Sequence, residues 1–316
     1  MEVLVTGGTL FVSAAIVRHF QSLGAAVTVL NRGSRSVPRV RQVAIDRNDV
    51  DGVRRALSGC HFDLVVDATC YLPEQATTLL AALNGNCARL VMISSASVYA
   101  NRPDLPPRED AKVGGASVWG DYGRDKARSE AVYLEAAAGF DTMVILRPPY
   151  IFGPNNVADR ETWFWGRFMN GLPVVLPGDG ATQVQFIHED DLARAVEIVG
   201  QKSGGVQTYN VADPSVWTLS ELSTKLANAA GWSDTQVCAA NHAADFTART
   251  WFPFRDYPCL LDPARLMRET AWFPAQSLEA HFAETYAQRI TQDRIPVPSP
   301  TDVERLLWQR LGLEQN

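Results

Sequence analysis

Short, nearly continuous apolar runs punctuate the first half of this chain, and stretches of helical period lie between them. Val3-Leu4-Val5, Val27-Thr28-Val29-Leu30, Arg41-Gln42-Val43-Ala44-Ile45, Leu64-Val65-Val66, Leu90-Val91-Met92-Ile93 and Met143-Val144-Ile145-Leu146 read as strands covered on both faces. The intervening segments at about 10–22, 49–58, 73–83 and 121–138 read as helices. Strand–helix alternation of this kind predicts an α/β fold with a doubly wound parallel sheet. After Pro154 the rhythm breaks into aromatic clusters, prolines and two capping boxes, Thr218-Leu219-Ser220-Glu221 and Thr301-Asp302-Val303-Glu304. The expected organisation is a dinucleotide-binding domain over 1–154, with later strands from about 183–212. A smaller, mostly C-terminal α/β substrate domain is expected over 155–316.

Composition narrows the function classes. With 316 residues, 46% hydrophobic and 20% charged, the chain has material for a large core. No apolar run reaches the ~20 residues of a bilayer span, and Met1-Glu2-Val3 enters a strand without a basic leader, so cytoplasm is the expected compartment. Net charge −6 argues against a nucleic-acid partner. Five scattered cysteines, Cys60, Cys70, Cys87, Cys238 and Cys259, read as reduced, and no metal site is expected.

The first strand ends in Thr6-Gly7-Gly8-Thr9-Leu10-Phe11 and enters a helix directly, the setting a dinucleotide fingerprint requires. Gly7 and Gly8 allow a tight turn and close approach to a pyrophosphate on the helix N-terminus. Leu10 and Ser13 stand where glycines are usual. The second strand ends at Asn31-Arg32-Gly33-Ser34-Arg35. An acid there would select NAD, whereas arginines accommodate a 2′-phosphate, so NADP is expected in preference to NAD. Asp46 and Arg47 would border the adenine, and Ala68 and Thr69 after the fourth strand would lie beside the ribose.

Tyr122 and Lys126 stand four residues apart in a helical stretch, on one face. A fixed ammonium favours the phenolate, which makes the phenol a proton carrier for a carbonyl oxygen.

Together these elements resemble the short-chain dehydrogenase/reductase superfamily, in its extended and atypical branch of epimerase/dehydratase-like proteins. The resemblance rests on the glycine turn, Ser94-Ser95-Ala96-Ser97-Val98-Tyr99, the Tyr122–Lys126 pair and Leu146-Arg147-Pro148-Pro149-Tyr150-Ile151-Phe152-Gly153-Pro154. Gly178-Asp179-Gly180 with Phe186-Ile187-His188-Glu189-Asp190-Asp191, and Tyr209-Asn210-Val211-Ala212-Asp213 with Thr218–Leu222, follow in the family's order. The resemblance implies a Ser95–Tyr122–Lys126 centre, with Ser94 and Ser97 as lesser neighbours. It implies hydride exchange between NADP(H) and a carbonyl or secondary alcohol of a small polar metabolite, with Lys126 and Pro148 also at the cofactor. Tyr71, Ser97 and Tyr150 are expected to meet substrate. Sugar-nucleotide members carry an arginine after the Asp-Gly pair; here Ala181-Thr182-Gln183 has none. Arg160, Arg167 or Arg255 would have to substitute, and Trp163 would line the pocket, unless the aromatic run closes a core. A reductase, an epimerase or a dehydratase fits these residues. A non-catalytic dinucleotide sensor and a stem-loop RNA binder are the alternatives of another class. The family also implies a homodimer through a four-helix interface, and His188 is expected to be structural.

Overall fold

Strand β1 (Glu2–Thr6) leads into α1 (Phe11–Ser22), and alternation continues through β2 (Ala26–Asn31), β3 (Arg41–Ala44), α2 (Val50–Leu57), β4 (Leu64–Asp67), α3 (Pro73–Leu83), β5 (Arg89–Ile93), α4 (Gly120–Glu135) and β6 (Thr142–Arg147). Then follow β7 (Tyr150–Phe152), α5 (Glu161–Met169), β8 (Val174–Pro177), β9 (Gln183–His188), α6 (Glu189–Gln201) and β10 (Gly205–Asn210). The chain ends with β11 (Val216–Thr218), α7 (Leu219–Ala229), β12 (Val237–Ala240), α8 (Ala264–Thr270), α9 (Leu278–Thr291) and α10 (Asp302–Leu311). The computed structural model describes residues 1–101, 106–202, 204–233, 237–240 and 245–313. The side chain of Cys238 lies outside that description; Cys60, Cys70, Cys87 and Cys259 are free thiols.

The chain divides into two compact units. The first comprises Met1–Ile151, Ile187–Pro214 and Leu261–Pro274. Its seven-stranded sheet runs in the order β10-β6-β5-β4-β1-β2-β3, and every neighbouring pair is parallel. Alternate strand residues serve opposite faces, as a pleated strand requires. Val3, Val5, Val29, Val66, Val91 and Val144 pack with Ile16 and Phe20 of α1 and Leu192 and Val196 of α6. Leu4, Leu30, Val65, Leu90, Met92 and Ile145 pack on the other face with Val53 of α2, Leu79 of α3 and Tyr133 of α4. Both faces are therefore covered by helices, and the apolar runs had no polar side to show. Strand order reverses between β1 and β4, and ligands of such sheets sit outside the carboxyl ends at that reversal.

Local signals set the helix ends. Gly24 follows α1 at φ +73° and donates to the Gln21 carbonyl, a glycine C-cap. Asp49 caps α2 through the Gly52 amide at 3.0 Å, and Pro73 opens α3 where no amide is needed. The fourth helix ends at Glu135 rather than near 138, and a single 3₁₀ turn, Ala137–Gly139, carries the chain on. His188 caps α6, its ring nitrogen accepting from the Asp190 amide at 3.3 Å.

The second unit comprises Phe152–Phe186, Ser215–Leu260 and Ala275–Asn316. Here β8 pairs with β12 in parallel, and Gln183–Gln185 pair antiparallel with β11. Both expected capping boxes are present, opening α7 and α10. The aromatic run closes this unit's core. Phe164, Trp165 and Phe168 are buried, and Phe164 meets Phe252 and Phe254 ring to ring. Phe152 stacks on Phe282 with centroids 4.0 Å apart. Glu304 of α10 accepts from the buried Arg167 guanidinium at 2.6 Å and tethers α10 to α5.

Candidate active site

At the reversal of strand order the chain leaves β1 through Gly7 and Gly8, at φ +92° and +88°. A Cβ on Gly7 would come within 2.8 Å of Thr69 Cγ2, and one on Gly8 within 2.6 Å of Val29 Cγ1. No side chain fits either place without displacement, so the two glycines let the turn lie flat against the sheet. Asn31, at the end of β2, clasps that turn. Its Nδ2 donates to the Gly7 carbonyl at 2.8 Å, and its Oδ1 accepts from the Gly33 amide and Gln42 Nε2, each at 2.9 Å. Ser13, standing for the third glycine, is buried and donates to the Leu10 carbonyl at 2.9 Å. Phe11 enters α1 at φ +47°, a conformation that strains a bulky residue. Arg32 and Arg35 are exposed, and neither forms an ion pair among the described residues.

Beneath the turn lies a buried polar cluster that the sequence did not reveal. Arg47 Nη1 and Nη2 donate to the two oxygens of Asp67, both at 2.8 Å. Arg47 also reaches Thr69 Oγ1 at 2.8 Å and the Gln75 carbonyl at 3.2 Å. Thr6 and Tyr133 donate to the same carboxylate. Burial alone would raise the Asp67 carboxyl, but Arg47's charge and these hydrogen bonds outweigh it and hold it well below the usual carboxylate range. Arg47, expected along the adenine edge, thus commits its guanidinium to Asp67. Thr69 likewise commits its hydroxyl, donating to Thr6 at 3.0 Å. Asp46 is exposed and caps its own loop through the Asn48 amide at 2.8 Å.

Along α4 one face carries Tyr122, Lys126 and Glu130 at four-residue intervals, then Tyr133. Tyr122 is 43% exposed, whereas Lys126 is 2% exposed. The Lys126 ammonium donates to the Ile93 carbonyl at the end of β5, 2.8 Å away. Burial pulls its pKa down, while Cys70, Tyr71 and Asp67 act to hold it up. Glu130 accepts from Ser94 at 2.5 Å and takes a bidentate Arg147 guanidinium at 2.9 and 2.6 Å. Arg147 continues to Tyr99, which donates to Asn210 at 2.6 Å. The helix is therefore keyed to β4, β5 and β6 by polar bonds from successive turns. The signal was present in the sequence: a glutamate one turn beyond the lysine, on the same helix face.

Ser95 begins the turn after β5. Its Oγ accepts the Ser97 amide at 3.2 Å, which leaves its own proton free to be donated elsewhere. A Cβ on Gly123 would lie 2.6 Å from the Ser97 carbonyl, so this glycine brings α4 onto the serine turn. Ser97 Oγ is buried with no hydrogen-bond partner among the described residues. The buried Pro148 holds the Ala96 amide through its carbonyl at 2.8 Å, and Tyr150, also buried, meets Trp119 edge to face. Tyr71 is 51% exposed, its ring 6.5 Å from that of Tyr122. Ala68 sits half-buried beside Thr69, its amide bonded to Thr6 Oγ1 at 3.0 Å.

In the second unit, Arg160 and Arg255 are half-buried. Trp163 is held between the Arg167 guanidinium, 3.5 Å from its ring centroid, and the rings of Phe164 and Phe252. In the Gly178–Gly180 turn, Asp179 accepts from the Ala181 amide, and Thr182 donates to Asp256. Among the described residues no group of three His, Cys, Asp or Glu side chains could hold a metal ion, and no helix is long and apolar enough to cross a membrane.

Comparison with known proteins follows the same lines. The NAD-dependent epimerase/dehydratase family matches residues 3–212. A chloroplast stem-loop binding protein of 41 kDa from Arabidopsis thaliana is 27% identical over 90% of this chain and 78% of its own length. A 2'-dehydrokanamycin reductase from Streptomyces kanamyceticus is 30% identical, over 62% of this chain and 57% of its own length. Among solved structures, a dTDP-glucose 4,6-dehydratase from Bacillus anthracis in complex with NAD superposes with TM-score 0.77 at 16% identity, over 93% of this chain and 97% of that one. A UDP-glucose 4-epimerase from Thermotoga maritima, with UDP-glucose, gives 0.76 at 19% identity, over 92% and 99%. The chain belongs to the NAD-dependent epimerase/dehydratase family, among the NAD(P)-dependent enzymes of the short-chain dehydrogenase/reductase superfamily.

Proposed function

We propose that this protein is an NADP(H)-dependent oxidoreductase acting on a carbonyl or secondary alcohol of a small polar metabolite, a sugar or sugar nucleotide among them. The observation that carries the reading is the buried Lys126 ammonium, anchored to the Ile93 carbonyl one helical turn from the exposed Tyr122. The residues fit the cofactor. Gly7 to Phe11 and the N-terminus of α1 would hold the pyrophosphate, and Ala68, Thr69, Pro148 and Lys126 would flank the nicotinamide side. With Asn31 occupied by the glycine turn, the exposed Arg32 and Arg35 would take a 2′-phosphate. When bound, the cofactor supplies or accepts the hydride.

The side chains handle the proton. Tyr122 Oη passes it to or from the substrate oxygen. Lys126 favours the phenolate from one turn below, and Ser95 Oγ donates to the same oxygen, where charge develops. Tyr71, Ser97 and Tyr150 are the proposed substrate contacts. The 2'-dehydrokanamycin reductase relative favours net reduction over epimerisation. The reading includes a cytoplasmic location and a homodimer through α4.

The test is NADPH consumption against a panel of polar ketones and keto-sugars. Tyr122→Phe should abolish turnover and leave the NADPH Kd within about threefold, because the ring still packs but moves no proton. Undiminished turnover would remove Tyr122 from the mechanism. Epimer formation with no net change in cofactor would replace reduction by epimerisation.

A further inference from the structure

Tyr71 lies outside the Ser95–Tyr122–Lys126 set, yet its ring meets both members of the α4 pair. The Lys126 Nζ lies 5.1 Å from the Tyr71 ring centroid, and the Tyr122 ring centroid lies 6.5 Å from it. The backbone that carries this ring is fixed. Gln75 Oε1 accepts from the Tyr71 amide at 2.9 Å and the Leu72 amide at 3.3 Å, and Gln75 Nε2 donates to Asn48 at 3.0 Å. The Tyr71 hydroxyl makes no hydrogen bond among the described residues, so the ring face is the part of the side chain that is engaged.

The groups around Lys126 show why a ring face matters. Asp67 approaches from the end of β4, but its charge is balanced by Arg47 from the loop after β3. Cys70 also faces it, and burial with the nearby Asp67 pushes that thiol up to about 12, so it stays protonated at neutral pH. β5 contributes the Ile93 carbonyl, and α4 itself carries Tyr122 and Glu130, the latter neutralised by Arg147. An ammonium has three donors, and Ile93 takes one. For a lysine 2% exposed, the neighbours that favour its charge without a cancelling partner are therefore that carbonyl and the Tyr71 ring.

The geometry points to Tyr71 as a positioning residue of this centre, whose ring face keeps the Lys126 ammonium charged and aimed beside Tyr122. The inference rests on the Ser95–Tyr122–Lys126 reading and adds a fourth residue to it. The hydroxyl is dispensable for this role and the aromatic face is not.

The chain has four lysines, Lys112, Lys126, Lys202 and Lys225, so ¹⁵N-lysine NMR of the full-length protein can follow each one. Lys126 is identified by the resonance lost in Lys126→Met. Tyr71→Leu keeps the site dry but removes the π face. It should lower the Lys126 titration midpoint by roughly 0.5 to 1 pH unit, the size of a partly desolvated cation–π contact. Tyr71→Phe should leave the midpoint where it is. An unmoved midpoint in Tyr71→Leu, or an equal shift in Tyr71→Phe, overturns the inference. The measurement needs neither substrate nor cofactor, so its outcome is separate from that of the Tyr122→Phe turnover test.

Discussion

Two arginines and one asparagine decide how the cofactor end is read. Asn31 cannot accept a ribose hydroxyl in the way a carboxylate would, and its amide is already bonded to Gly7, Gly33 and Gln42. Arg32 and Arg35 stand beside it in solvent. We expect Arg32→Ala to weaken NADPH binding by about ten- to a hundredfold, the ~1.5–3 kcal/mol of a charged hydrogen bond, and NADH by less than about twofold. Calorimetric titration of both dinucleotides checks this, and equal losses would refute the 2′-phosphate assignment. At this scale the placement of Tyr122 and Lys126 one turn apart on α4, and of the glycine turn between β1 and α1, was legible because it is local: a four-residue spacing, a strand–turn–helix junction. The Arg47–Asp67 pair was not. Its members are twenty residues apart, in a loop and on a strand that the sheet order separates by β1 and β2. Each looked like a residue at a strand end, and periodicity carries no information about which of them pair.

Elements are held here by polar bonds as much as by apolar faces. The loop after β3 is tied to the end of β4 by Arg47–Asp67, and α4 joins through Tyr133. Removing one partner of such a pair leaves the other buried and uncompensated. Asp67→Leu should therefore destabilise the protein by about 3–5 kcal/mol in urea unfolding. The double variant Arg47→Met/Asp67→Leu should recover most of that loss. If the single and double variants unfold alike, the pair does not join these elements. Helix positions were readable to within a few residues because caps and glycines mark them, as at Asp49, Pro73 and Thr218. What α5 does was not. Its aromatic run fits a ligand wall and a core equally well as a pattern, and only the burial of Phe164 and Trp165 against Phe252 and Tyr286 distinguishes the two.

For the molecule as a whole, pH should register at Glu161. This carboxyl is buried in the second unit, with Asn156 donating to both oxygens at 3.1 Å. Burial raises its pKa from 4.5 to about 7, against the pull of those hydrogen bonds. Between those values the folded chain binds more protons than the unfolded one, so stability falls as pH rises through the window. The loss should total on the order of 3 kcal/mol. Glu161→Gln should flatten the slope, and an unchanged Tm–pH curve in that variant would rule Glu161 out as its source.

Chain order has its own consequence at this scale. Strand β10, from residues 205–210, borders β6, and Leu266 and Trp272 of 261–274 fill the first unit's core. The sequence reading gave 261–274 no part in that unit, because two helical turns and a tryptophan do not announce which sheet they cover. During synthesis, a ribosome that has released only the first half presents a twisted sheet ending in β6. All six residues of that strand are buried in the finished protein. Until the later segments emerge, its amides and carbonyls form an open ladder that any extended peptide can join. That edge stays open until residues 205–210 have emerged and paired with it as β10.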